Sequence, residues 1–240
     1  MSKVLVNESS LTDIANAIRA KNGTETTYKP SEMAAAIEAI PTGSGGNPDD
    51  RLNELLTRTI TEYSNDNLRT VEDYSFIHCR QLKTVNIPNA TGIQQAAFEM
   101  CESMTSINCA NVTYLEKNAF SQCNMLTEIY LPKLTSATNA SMMFYNCYSL
   151  VRAELGSCDK LAMYAFYGCS AIEAIILRKT DAICTIHKSA FYSGDAITKG
   201  TGYVYVPAAL VDTYRADSVW STYAAQLRAI EDYPDICGEE

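Results

Sequence analysis

AFSQCNMLTEIYLP, residues 119–132, carries an apolar skeleton that recurs along most of the chain. Phe120 is followed by Cys123, Leu126, Ile129 and Leu131. The same frame holds Phe76, Cys79, Leu82, Val85 and Ile87, and then Phe98, Cys101, Met104, Ile107 and Cys109. It returns at Phe144 with Cys147, Leu150, Ala153 and Leu155, and at Phe166 with Cys169, Ile172, Ile175 and Leu177. A worn sixth copy starts at Phe191, and the six Phe are 22, 22, 24, 22 and 25 residues apart. Five residues before most of the Phe stands another apolar residue: Val71, Ile93, Leu115, Leu161 or Ile186.

A fixed period near 22 residues is the mark of a solenoid whose coils stack on one another. Each unit ends in period-two alternation (LKTVNIP, MTSINCA, LTEIYLP, LVRAELG, IEAIILR), which predicts a short, half-buried strand. Equivalent residues then form columns along the stack, with Phe over Phe and Cys over Cys. One coil cannot bury its apolar side alone, and six can.

The rest of the composition excludes several classes. The 240 residues are 47% hydrophobic and 20% charged, neither disordered nor membrane-embedded in character. No stretch approaches the roughly 20 apolar residues of a spanning helix. The start, MSKVLVNESSLTDI, does not read as a signal peptide. A net charge of −9 argues against nucleic acid, whose phosphates want a basic face. That charge divides as −3 over residues 1–50, −1 over 51–206 and −5 over 207–240, so the repeat surface is nearly neutral.

The units SFIHCRQLKTVNIP, AFEMCESMTSINC, AFSQCNMLTEIYLP and AFYGCSAIEAIIL resemble BspA-type leucine-rich repeats over about residues 57–206. The resemblance implies an α/β leucine-rich-repeat solenoid of about six coils, with short parallel strands and short helical turns. GTGYVYVPAALVDTYRADSVWSTYAAQLRAI, residues 200–230, resembles the end segment that closes such arrays in phage and bacterial surface proteins. LTDIANAIRAKNGTETTYKPSEMAAAIEAI, residues 11–40, resembles a small helical module of tail-associated proteins from phages of Gram-positive bacteria. Together these imply a phage structural protein of the tail or host-recognition apparatus. Its implied location is the virion, among other virion proteins, as a homo-oligomer; trimers are common in that setting.

Four regions are expected. Residues 1–40 form a two-helix attachment or oligomerisation module, since two helices this short must pack on something else. Residues 41–50, PTGSGGNPDD, form a flexible linker. Residues 51–206 form the solenoid, entered by a short helix over Arg51–Arg58 and a first strand at Thr59–Tyr63. Residues 207–240 form a C-terminal cap that carries the single Trp220, because an open solenoid exposes its last core layer.

Sites of chemistry are sparse. No C-x2-C pair suggests a metal; Cys184 with His187 is a lone C-x2-H, and no cofactor is expected. His78 and His187 stand in unrelated coils with no nucleophile pointed out by spacing. The column cysteines read as buried thiols. Cys158 and Cys184 lie in loops of neighbouring coils and could pair, and Cys237 reads as a reactive exposed thiol.

What remains is surface. One strand column, Asn86, Asn108, Tyr130, Glu154 and Ile176, is expected to face outward, with Thr84, Ser106, Glu128, Arg152 and Ala174 beside it. Tyr145, Tyr148, Tyr167 and Tyr192 are expected near one another on the turns. Tyr offers large contact area at low entropy cost, so Tyr130, Tyr145, Tyr148, Tyr167 and Tyr192, with Glu128, Arg152 and Glu154, are the candidate binding residues. The ligand class is a protein or glycan on a host cell surface. A bacterial cell-surface adhesin, or an intracellular inhibitor or adaptor of one protein partner, would use the same surface.

Overall fold

The computed structural model describes residues 58–137, 139–191 and 195–238. The two-helix module, the linker, the Arg51–Arg58 helix except for its last residue, and Tyr192 lie outside them. The chain divides into two compact units, Met1–Ile60 and Thr61–Glu240, and the repeats belong to the second.

Each coil contributes a three-residue strand from the end of its repeat unit. These are β1 (Glu62–Ser64), β3 (Thr84–Asn86), β5 (Ser106–Asn108), β7 (Glu128–Tyr130), β8 (Arg152–Glu154) and β10 (Ala174–Ile176). The entry strand thus sits later than the expected Thr59–Tyr63. Five coils also carry a two-residue strand at the apolar position before Phe: β2 (Thr70–Val71), β4 (Gly92–Ile93), β6 (Tyr114–Leu115), β9 (Lys160–Leu161) and β11 (Thr185–Ile186). All pairing is parallel, and the register places Val85 opposite Ile107, Ala153 opposite Ile175, and Val71 opposite Ile93. The main sheet falls into two parts, β1-β3-β5 and a second part running from β7 through β8 and β10. At that break Ile107 is only half-buried, whereas its equivalents Val85 and Ile129 are buried.

The core is the predicted set of columns. The Phe rings stack from Phe76 through Phe98, Phe120, Phe144 and Phe166 to Phe191, with centroids 5.1, 5.5, 5.6, 5.2 and 6.0 Å apart. Tyr63 packs edge-on against the first ring at 4.7 Å, and Tyr223 edge-on against the last at 5.1 Å. Four of the column cysteines have a second role beside filling space. Cys101, Cys123, Cys147 and Cys169 donate their thiols to the carbonyls of Phe76, Phe98, Phe120 and Phe144, at 3.0–3.2 Å. The thiol is small enough for the interior and still bonds the coil before it, which an alanine cannot do.

The Phe-bearing side is not helical, contrary to expectation. Residues two before and two after each Phe take left-handed backbone: Tyr74 and His78, Ala96 and Met100, Asn118 and Gln122, Met142 and Asn146, Tyr164 and Gly168. Alternate N–H groups therefore point along the stack. In one coil the amides of Ala96, Phe98 and Met100 donate to the carbonyls of Lys117, Ala119 and Ser121 in the next, at 2.8–2.9 Å. A helix would spend these donors within the coil; here they join coils, satisfying buried backbone on both sides of the solenoid. The local cost is nine non-glycine residues with positive φ at these turn positions.

Beyond the last coil, β12 (Tyr203–Val206) continues the sheet next to β10, and β13 (Leu227–Ala229) pairs with β12. Between them lie α2 (Val211–Ala216) and a 3-10 segment over Trp220–Gln226; α1 (Ala196–Lys199) precedes β12. Trp220 is fully buried, edge-on to Tyr214 and Tyr223, and its indole N–H donates to the Cys184 carbonyl at 2.7 Å. The Cys184 amide donates to the Tyr214 hydroxyl, also at 2.7 Å. The final α3 (Pro234–Cys237) turns back against the outer face of the sheet, where Ile230 and Cys237 cluster with Ala174, Ile176 and Tyr205.

Candidate functional site

The turn face of two neighbouring coils gathers three tyrosines. Tyr145 and Tyr167 each follow a column Phe by one residue, so they occupy equivalent places one coil apart, and their rings stack at 5.4 Å. Tyr164 lies two residues before Phe166 on one of the left-handed positions, φ 59°. Its ring stands edge-on to Tyr167 at 5.2 Å and to Tyr145 at 6.5 Å. All three are half-buried, and Met163 beside them is 40% exposed. Tyr164 was legible in the sequence only as a variable position, since nothing in the repeat reveals that left-handed backbone turns it toward the Tyr145 column.

Of the other candidates, Tyr148, Tyr130 and Glu128 are among the described residues. Tyr148, 50% exposed, follows Cys147 on the stretch that leads to β8, and its carbonyl accepts from the Ser170 hydroxyl. Tyr130, also 50% exposed, and the exposed Glu128 lie on β7, on the outer face of the sheet. On the same face the earlier coils carry a polar column: the Asn86 amide donates to the Ser64 hydroxyl at 3.1 Å, and the Asn108 amide to Asn86 Oδ1 at 2.8 Å.

Glu154 is a correction. Expected to face solvent, it is 3% exposed, its two carboxylate oxygens each accepting at 2.8 Å, one from Arg152 Nη2 and one from Arg178 Nε. Arg178 also donates to the Cys237 carbonyl, so the same guanidinium ties the sheet face to the chain end. Ile176 and Ala174, expected in the outward columns, are buried as well. The reason is the returning C-terminal segment: apolar outward positions in the last coils form the floor on which Tyr233, Ile230 and Cys237 pack. Tyr205 meets Tyr233 edge-on at 5.4 Å, and Arg228 lies over the Tyr203 ring at 4.4 Å. Among the described residues, exposed side chains on the main sheet are therefore confined to the coils up to β7.

Cys237 is a second correction. It is 1% exposed, inside that cluster, and burial raises its thiol pKa. All nine cysteines are buried thiols, Cys158 and Cys184 included. Burial pushes Cys109 and Cys147 from 9.0 up to about 12, and drives Cys123 and Cys169 in the same direction. Thiolates are the nucleophiles, so the native protein should react with none of its thiols in minutes at pH 8, and with nine after unfolding. Counting thiols with a chromogenic disulfide reagent, with and without denaturant, checks this. An alkaline weakness follows too. Unfolded thiols ionise near pH 9 while the folded ones stay protonated, so their contribution is complete below pH 9 and is lost as pH rises toward 12. Each such thiol removes about 1 kcal/mol per pH unit in that window, readable as a falling urea midpoint.

Among the described residues no group of three or more His, Cys, Asp and Glu is arranged to hold a metal ion. His187 accepts from the Ser189 amide at 3.1 Å, and His78 occupies one of the left-handed turn positions.

A known repeat family matches this architecture. The pattern that defines the BspA type leucine-rich repeat region matches residues 57–173 and 91–201, in six copies. Similar solved structures include a Treponema leucine-rich repeat protein, the T. pallidum TpLRR, at 17% identity and a TM-score of 0.46, covering 53% of this chain and 60% of that one. A leucine-rich repeat protein from Bacteroides ovatus shows 21% identity and a TM-score of 0.45, covering 62% and 40%. A leucine-rich cell surface protein from Faecalibacterium prausnitzii shows 16% and 0.38, covering 78% and 65%. The chain thus spans between 40% and 65% of these proteins' lengths. No curated protein matches it. The stacked columns, the parallel strands and the six matched copies together make this chain a member of the BspA-type leucine-rich repeat family.

Proposed function

We propose that this is a non-enzymatic recognition protein of a phage tail or host-recognition apparatus, binding a protein or glycan of the host cell surface through its solenoid. The observation that carries the binding role is the Tyr145, Tyr164 and Tyr167 cluster. Three adjacent, half-buried aromatic rings provide broad contact area, and their mutual packing removes in advance much of the side-chain entropy that binding would otherwise cost. Residues 1–40 are the attachment or oligomerisation module of this reading, which joins the protein to other virion proteins as a homo-oligomer. Residues 207–240 close the solenoid as its cap. The phage setting itself rests on the resemblance of residues 11–40 and 200–230 to segments of such proteins.

Tyr164→Asn tests the binding face with little structural risk, because asparagine accepts the left-handed backbone that Tyr164 adopts. Paired with Tyr148→Ser, it should weaken binding of labelled protein to host cells about tenfold, as expected for losing aromatic contacts of 1–2 kcal/mol. The melting temperature should stay within a few degrees. Unchanged binding would remove the turn face from the proposal, and loss of binding in Tyr130→Ser would then place the contact on the sheet.

A further inference from the structure

We infer that Cys158 and Cys184 are a disulfide site, closed when the protein meets a small-molecule or protein disulfide oxidant. These two cysteines stand outside the Phe-linked column, in adjacent coils. The register of β9 with β11 pairs Lys160 with Thr185 and Leu161 with Ile186, and the Thr185 amide donates to the Asp159 carbonyl at 3.0 Å. One step back along the same ladder brings Cys184 opposite Asp159, next to Cys158. With strands about 4.8 Å apart and a rise of about 3.3 Å per residue, their Cα atoms are separated by about 6 Å. A disulfide requires about 4.4–6.8 Å.

Both side chains are fully buried, and the two thiols lie within hydrogen-bonding reach of each other. The Cys158 thiol is the foremost influence on the Cys184 thiol, in keeping with that proximity. Four of the column cysteines differ. Each column thiol from Cys101 to Cys169 is committed to a Phe carbonyl of the preceding coil, whereas the Cys158 and Cys184 thiols lie at 3.4 and 3.5 Å from carbonyls one or two residues along their own chain.

The chemistry balances as thiol–disulfide exchange. One cysteine thiolate attacks the oxidant disulfide, forming a mixed disulfide and releasing one thiolate of the reagent. The second cysteine attacks the protein sulfur of that intermediate and expels the other reagent thiolate. Two protein thiols become one disulfide, and one oxidant disulfide becomes two thiols. Access comes through local opening at β11, which is only two residues long and follows the exposed Asp181 and Ala182.

The position gives the bond a consequence. The Cys184 amide and carbonyl hold Tyr214 and Trp220, so the bond would fix the anchor of residues 207–238 to the coil beneath it. The test uses the full chain, incubated at pH 8 with oxidised glutathione in mild urea, then quenched with acid. The expected product is 2 Da lighter than the reduced protein and contains one cross-linked peptide pair spanning Cys158 and Cys184. It shows seven thiols on unfolding and melts about 5–10 °C higher than the reduced form. Nine remaining thiols, stable glutathione adducts, or a cross-link between other cysteines would overturn the inference. Cys158→Ala and Cys184→Ala variants, compared in parallel, should each yield no cross-link, and a 2 Da loss in either would overturn it as well.

Discussion

Replacing Phe120 with alanine is expected to cost about 4 kcal/mol of stability, the largest loss from any single substitution in the repeats. The ring is fully buried and lies between Phe98 at 5.5 Å and Phe144 at 5.6 Å, nearly parallel to both. Its removal leaves a cavity that two rigid neighbours cannot fill, and breaks two stacked contacts together. A solenoid is held by nearest-neighbour interfaces, so a gap in the middle weakens the coupling of the coils on either side. The melting temperature should fall by about 10 °C or more. Phe120→Leu, which keeps most of the volume, should cost less than half as much. Phe191→Ala provides the control, since Phe191 has one stacked Phe neighbour and one edge-on Tyr223. Equal losses at Phe120 and Phe191, measured by urea unfolding, would mean that the ring column does not couple the coils.

Glu154→Gln is expected to cost about 3 kcal/mol and to loosen the chain end. The carboxylate is 3% exposed and takes one guanidinium hydrogen bond on each oxygen. Removing its charge leaves two cations beside an amide that offers one acceptor oxygen in place of two. A broken buried pair costs 3–5 kcal/mol. The lower end applies here, because the Arg152 and Arg178 side chains keep 26% and 20% of their exposure and some hydration. A second readout separates this from general destabilisation. Arg178 also holds the Cys237 carbonyl, so the variant should expose Cys237 to thiol reagents well before any other cysteine, while the native protein does not. Uniform reactivity of all nine thiols in the variant would show global unfolding in place of local release.

Sequence legibility tracked the distance over which each feature is decided. Phe76 through Phe166 and Cys79 through Cys169 could be placed from spacing alone, because coils repeat and each residue meets its own equivalent in the next. The strands followed from alternation in the same units. Tyr145 and Tyr167 could be paired for the same reason, one coil apart at equivalent positions. Tyr164 could not, since its approach depends on a left-handed residue that no side-chain pattern announces. The helical turns of the expectation failed on the same ground: alternate amides of the turn bond the next coil, and a helix leaves no donor free to do so.

The periodic sequence by itself determined a parallel solenoid with a Phe and Cys interior and an almost neutral repeat surface. Tertiary structure alone decided which part of that surface remains open. Arg178 meets the chain end 59 residues later, and no repeat rule reaches across that interval. That return covers Ala174, Ile176 and Glu154, buries Cys237, and leaves the outward strand residues up to Tyr130 uncovered. Stacking is a nearest-neighbour property and is written in every copy. Burial of the outer face depends on the non-repeating contacts of one returning segment, made where apolar strand residues needed cover.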